Sequence, residues 1–597
     1  MQTIGSISRN VGYRLGRYLP RILPIFLKEL GDPEDEDTWV ESFHDLREVC
    51  LTTFNSFVQL CPREIAPLVE KVTNACTKFA SFDPNFVQDD DDDDEEEEEE
   101  YEDEVYSDED DFDMEYEDAD DSSWKVRKAA MKTLNSIFTN GSLLPPSKYA
   151  ESLACLIARF KEREESVRLV VLQAFSNLIK GLQIATGRKV VQGSPMFTVL
   201  QARVAELNAA AVKLLKADSP KTKTAVFQEF TAFVCAMGSD KSMSSFVAAV
   251  SPHIIASLKA QSSPLRRAAI QFLHTLVKNQ PADSLGGALL QIIPVVVTCL
   301  GDSWYRVVAE TLKASITIIP LLRSNAKSEL SKFAPQLYEQ VLGKLQQHDI
   351  DQEIKDIAIQ CMAQLLYSAG DLLAPAQVAT VLKLLAGKLK NEVTRICALH
   401  AIKQVAESPI GIDMQSMLDD LVREITAFLR QASRPLRIAS LEALNSIMAR
   451  YASSASKTLC VDVASSLDLI GDLDLHLSHL AIELTRKLLR RDSADASSVQ
   501  ELASVVIPRT LVLVGSSVTQ GAALASLVAL YTDLARTCPV MVEKLSGALV
   551  QVSDQKTADK RSIANIAQCL GALTLQSDKS YVAKQVTNIT DVFKRVF

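Results

Sequence analysis

The sequence predicts an all-α chain of stacked helical hairpins, and three observations lead there. A short motif recurs with a period near 40 residues, each copy carries an apolar stripe at helical spacing, and strand-like alternation is absent over most of the chain. Of the 597 residues, 47% are hydrophobic and 23% charged, which provides core material throughout and excludes wholesale disorder.

The motif runs from an acidic or turn residue to an aliphatic one, a basic one, then Ala or Ile and a later Leu or Phe. Copies are SSWKVRKAAMKTLNSIF from Ser122, EESVRLVVLQAFSNLI from Glu164, SPLRRAAIQFLHTLV from Ser263, DSWYRVVAETLKASI from Asp302, DQEIKDIAIQCMAQLL from Asp351, NEVTRICALHAI from Asn391 and RPLRIASLEALNSIM from Arg434. Their basic positions are Arg47, Arg127, Arg168, Lys223, Arg266, Arg306, Lys355, Arg395 and Arg437, with weaker copies placing Ser478, Gln520 and Arg561 there. From Arg127 onward the steps lie between 40 and 55 residues. Each period holds one stripe such as Val126, Ala130 and Ile137 and a second helix such as that from Glu64 to Phe79. One pair of helices cannot bury both stripes, so it must stack on a neighbour. The prediction is a HEAT or armadillo-type α-α superhelical solenoid over residues 1–597, with about thirteen repeats.

The recurrent basic residue has a structural reading. Acids such as Asp302 and Asp351 stand where a carboxylate caps free amides at the start of the first helix of a repeat. The Arg or Lys about four residues later is expected to reach the equivalent acid of the adjacent repeat.

Residues 89–121 break the pattern, with 25 Asp or Glu among 33 residues and no Lys or Arg. They turn a body of about +12 into a chain of net charge -13. So many like charges predict a disordered acidic loop between repeats, reaching at most roughly 110 Å when extended. It solubilises the chain, lures a basic partner or lies back on the basic solenoid. Ser107, followed by Asp-Glu-Asp, is a possible phosphosite for an acid-directed kinase.

Catalytic constellations are missing. The eleven cysteines are scattered without a CxxC pair, as buried thiols of a reducing compartment would be. Gly181 to Gly187 followed by Arg188-Lys189 has the wrong spacing for a phosphate loop, and neither HExxH nor GxSxG occurs. His476 and His479 are an i, i+3 pair with no third ligand in view. No catalytic, cofactor-binding or metal site is assigned. The start of the chain lacks the apolar core of a secretory signal, and the uncharged stretch from Thr510 to Thr532 is split by Gly515-Ser-Ser-Val-Thr-Gln-Gly521 into two short helices, which argues against a membrane span. Basic residues are spread through the repeats, so specific nucleic-acid readout is not expected. Such a solenoid supplies a long surface for another protein.

The segments SSWKVRKAAMKTL from Ser122, LCPREIAPLV from Leu60, FDPNF from Phe82, ARFKEREESVR from Ala158, DIDQEIKDIAIQCMAQ from Asp349 and LKNEVTR from Leu389 resemble, in order and spacing, the cullin-associated, neddylation-dissociated protein family. The resemblance implies a non-catalytic scaffold of cytoplasm and nucleus that wraps unmodified cullin–RING ubiquitin ligase cores and exchanges their substrate receptors. In that family one arm holds the cullin C-terminal region with its RING partner, and the other competes with the adaptor. The match is to the central part of longer members, so this reading expects both arms to be missing, the chain ends to fray and adaptor release to fail. A karyopherin-type transport receptor and a phosphatase-type scaffold are the alternatives; the basic body disfavours the former.

Overall fold

The structure, a computed structural model, describes residues 1–35, 41–82, 122–186, 194–347, 351–454, 467–491, 496–554, 559–576 and 579–594. Among the described residues there is no strand; α-helices alternate with short 3-10 turns. The chain divides into two compact units, Met1–Val296 and Val297–Phe597.

In the first unit the helices pair as antiparallel hairpins. Leu19–Leu30 packs on Glu41–Leu60, Val69–Ala80 on Ser123–Thr139, Tyr149–Arg159 on Glu165–Thr186, Val204–Lys216 on Pro220–Met237, and Met243–Leu258 on Ser263–Asn279. The second members, preceded by Gln2–Val11, form a continuous row in which each helix packs on the next. In the second unit Lys327–Gln346 pairs with Gln352–Ala369, Pro375–Leu389 with Arg395–Ala406, Leu418–Phe428 with Arg434–Tyr451, Ala496–Gly515 with Gly521–Thr537, and Val542–Ser553 with Lys560–Leu575. Here too the second members form a row, which opens with Tyr305–Asn325 and includes Leu475–Arg491. Each unit is therefore a HEAT-type stack of hairpins, as expected.

The phase of the repeat differs from expectation. In the hairpins named above, the helix that carries the recurrent basic residue is the second, not the first. Its partner is the preceding helix, which in four cases holds an internal proline, Pro24, Pro252, Pro335 or Pro508. A proline there forfeits one i→i−4 bond, which a helix packed on one side tolerates more readily. With Val69–Ala80 packed on Ser123–Thr139, residues 83–121 join two helices of one hairpin rather than two successive hairpins. The acidic run at 89–121, expected to be a disordered loop, lies outside the described residues.

Burial follows the sequence stripe. Val126, Ala130, Leu134 and Ile137 are all buried. In the first unit Phe160, Phe175, Phe230, Phe233 and Phe246 join successive hairpins with ring centroids 5.0 to 6.4 Å apart. Such pairs add about 0.5–1.5 kcal/mol each beyond their area. The stretch from Thr510 to Thr532 is the expected helix, turn and helix, with Gly521 at φ 58° opening the second. No helix among the described residues is long and apolar enough to cross a membrane.

One contact explains a glycine that the sequence left as a failed phosphate loop. A Cβ on Gly181 would lie 1.9 Å from the Phe138 carbonyl oxygen, and one on Gly141 would lie 1.8 Å from the Gly181 carbonyl oxygen. Two adjacent hairpins cross here backbone to backbone. Gly181→Ala is expected to destabilise the first unit by at least ~1–3 kcal/mol, the range for forcing extra atoms into a packed site. Gly343→Ala, in an open helical position with nothing within 4 Å, is expected to stabilise by up to ~1 kcal/mol. Urea midpoints of the two variants, shifted in opposite directions, check this.

Candidate interaction surface

The recurrent arginine closes the hairpin. Arg168 Nε donates to the Glu162 carbonyl at 3.0 Å, Arg266 Nη1 to Ala260 at 2.7 Å, Arg395 Nε to Leu389 at 2.8 Å and Arg437 Nε to Gln431 at 2.5 Å. In all four the acceptor lies six residues upstream, at or just beyond the end of the preceding helix. Helix ends leave carbonyls unsatisfied and carry partial negative charge, so a guanidinium placed there supplies both donors and countercharge. Arg47 does the same over a longer turn, reaching the Leu30 carbonyl at 3.4 Å and the Asp32 carbonyl at 3.2 Å. At the weaker copy Ser478 the hydroxyl donates to the Gly471 carbonyl at 2.6 Å.

Arg127 is the elaborate case. Its Nη1 donates to the Phe82 carbonyl across 45 residues of chain at 3.2 Å and to Ser123 Oγ at 2.8 Å. Its Nε and Nη2 form a bidentate pair with Glu162 of the next hairpin at 3.0 and 3.1 Å, both side chains buried. The pair does reach an acid of the adjacent repeat, but Glu162 stands six residues before Arg168, not at the equivalent position Glu164 that the sequence pointed to. The other arginines described above instead bind carbonyls of their own hairpin. Asp351 does cap its helix, accepting from the Glu353 amide at 2.8 Å, whereas Asp302 accepts from the Trp304 amide at 2.8 Å, one residue ahead of Tyr305–Asn325, and so closes the turn rather than capping the helix.

With the hairpins closed in this way, the second helices lie side by side and their outward faces make rungs about one repeat apart. Asn135 Nδ2 donates to Gln173 at 3.2 Å and Asn177 Nδ2 to Asn135 Oδ1 at 2.8 Å. In the second unit Lys313 pairs with Glu353 at 3.0 Å, Gln404 Nε2 donates to Gln364 at 2.6 Å, Lys403 pairs with Glu442 at 3.0 Å and Arg434 with Asp474 at 2.5 Å. The hydrogen bond from Arg434 holds the Asp474 carboxyl below the usual carboxylate range. The most deeply built part lies on Arg434–Tyr451, Leu475–Arg491 and Gly521–Thr537. Buried Asn445 donates its amide protons to the Leu441 and Leu480 carbonyls, and its oxygen accepts from Lys487 Nζ at 2.7 Å. Burial pulls the Lys487 ammonium pKa down. Buried Asp533 accepts from Arg486 at 2.8 Å and from Arg490 at 3.2 Å. None of these rungs was singled out from the sequence; polar residues recurring one period apart on the same helical face were the available signal.

The sequence's chemical candidates are not assembled into a centre. Among the described residues no group of three or more His, Cys, Asp or Glu could hold a metal ion, and His476 and His479 gain no third ligand. Burial pushes the thiols of Cys50 and Cys155 up to about 11 and those of Cys361 and Cys569 up to about 12, which makes them poor nucleophiles. Ser107 lies outside the described residues.

Residues 241–362 match a family described as "CAND1-like, TPR repeats". Over its whole length the chain is 28% identical to Cullin-associated NEDD8-dissociated protein 1 of Arabidopsis thaliana and 29% identical to that of Drosophila melanogaster, covering 48% and 49% of those proteins. It is 30% identical over 96% of its length to Cullin-associated NEDD8-dissociated protein 2 of Mus musculus, covering 46% of it. The chain thus spans about half the length of the curated relatives it matches, and it resembles that family from end to end. Among solved structures it is similar to the chain of a Kap95p–RanGDP complex (TM-score 0.56, 11% identity, 96% of this chain and 69% of that one) and to importin beta (TM-score 0.55, 12% identity, 96% and 68%). At such identities these likenesses show the fold alone.

The buried Arg127–Glu162 pair gives a sharp test. Arg127→Met is expected to cost about 3–5 kcal/mol, because Glu162 is left buried without its partner. Adding Glu162→Leu should recover most of that loss. Lys403→Ala, which breaks a partly exposed rung, should cost no more than about 1 kcal/mol. Equilibrium denaturation of the four proteins, including the parent, checks the ordering.

Proposed function

We propose that this chain is a non-catalytic scaffold that binds unmodified cullin–RING ubiquitin ligase cores and takes part in exchange of their substrate receptors. The observation that carries the reading is similarity spread over the whole chain to proteins named for association with cullins and dissociation of NEDD8. Two hairpin stacks whose second helices present polar rungs suit recognition by extended complementarity rather than by a single pocket. The reading includes one continuous array over residues 1–597, residence in cytoplasm and nucleus, contact with the RING subunit, and no role for specific nucleic acid or membrane. Any phosphate on Ser107 would add to a segment already dense in charge, so its effect on binding should be small.

Purified chain mixed with a reconstituted cullin–RING core is expected to co-elute with the unmodified core and not with the NEDD8-conjugated one. Raising ionic strength should weaken the complex, since charged rungs contribute to it. Equal retention of both forms, or of neither, removes the proposal.

A further inference from the structure

Two adjoining clefts cross the first unit's row of second helices, between Gln2–Val11, Glu41–Leu60 and Ser123–Thr139, and both are lined by Glu48 and Thr52. Their walls carry four cations, Arg9, Lys125, Lys128 and Lys132, against one carboxylate, Glu48. The three lysines stand at i, i+3 and i+7, hence on one face of Ser123–Thr139 and within about 10 Å of axis. Lys125 and Lys128 hold their ammonium groups 5.7 and 5.2 Å from the centroid of the half-buried Trp124 ring. Among the described residues none of the three lysines has a carboxylate partner. Lys148, Lys313 and Lys403 elsewhere are tied to Glu151, Glu353 and Glu442.

We propose that this face is a docking site for an acidic segment of a partner protein, its carboxylates meeting the lysine row and an apolar side chain lying against Trp124. Charge complementarity selects the class of occupant. A tryptophan amid ordered cations has the composition of an interface anchor. A nucleic acid fits less well: Glu48 would face its phosphates where the clefts meet, and a base would have to displace two ammonium groups to stack on the ring. The inference is independent of the cullin reading, and neither falls with the other.

The test uses the full chain and a fluorescein-labelled peptide of Asp and Glu with one central Phe, followed by anisotropy. Saturable binding that weakens with salt is expected, and K125E/K128E/K132E should weaken it by about tenfold or more. Reversal of three exposed lysines elsewhere, K241E/K259E/K278E, should leave it within about twofold. Circular dichroism reports whether the first variant folds; K125Q/K128Q/K132Q, which removes charge without adding any, should show the same loss in smaller degree. The proposal is overturned if the parent does not bind, if both reversals act alike, if the glutamine variant binds as the parent does, or if labelled oligo-dT binds more tightly than the peptide.

Discussion

Everything in these stacks depends on what happens to the carbonyl groups at the end of the first helix of a hairpin. The chain reverses there within a few residues, and those groups must be satisfied at the bend. The donor is a guanidinium in the first turn of the helix that follows, as in the pairs from Arg168 to Glu162 and from Arg395 to Leu389. Because a side chain of fixed reach joins the two helix ends, it fixes their separation as well as filling their hydrogen bonds. A hairpin held at that separation turns its apolar stripes to its neighbours.

Uniform hairpins bring the second helices close enough for side chains to meet across a repeat. The outer faces of those helices are then lines of polar groups whose spacing is set by helix packing rather than by loops. Asn445 illustrates the result: both amide protons are used by backbone on two helices, so only its oxygen is free to position Lys487. Such a surface is finely patterned, and among the described residues no group of three or more His, Cys, Asp or Glu converges on it to hold a metal ion.

The period and the apolar stripe were legible because each copy restates them, and stacking follows from a single pair's inability to bury both faces. The basic position was legible too, but not its partner. A reach of six residues back to a carbonyl is visible only once the end of the preceding helix is known. For the same reason the phase is not legible: the motif announces a helix without saying which neighbour it joins, and internal prolines do not decide it, since Tyr305–Asn325 in the row of second members holds Pro320. The Gly141–Gly181 crossing depends on two backbones meeting 40 residues apart, which no local pattern encodes. Trp124 and its lysines stood in plain view within SSWKVRKAAMK, yet their convergence with Arg9 and Glu48 required three helices to be laid side by side.

The bond from Arg127 to Phe82 bears on how such proteins accept new sequence. In the four hairpins closed by Arg168, Arg266, Arg395 and Arg437 the cap spans six residues, whereas here it spans 45, a lengthening that costs roughly 2 kcal/mol of closure entropy. That same arginine has gained a bidentate buried carboxylate and a serine hydroxyl. A hairpin tied from side chain to carbonyl, rather than by the turn itself, tolerates inserted chain at its bend while its helices keep their register. Bends of this kind are therefore the places where lineages of stacked-helix proteins can acquire long insertions, provided that the capping residue recruits further partners to offset them.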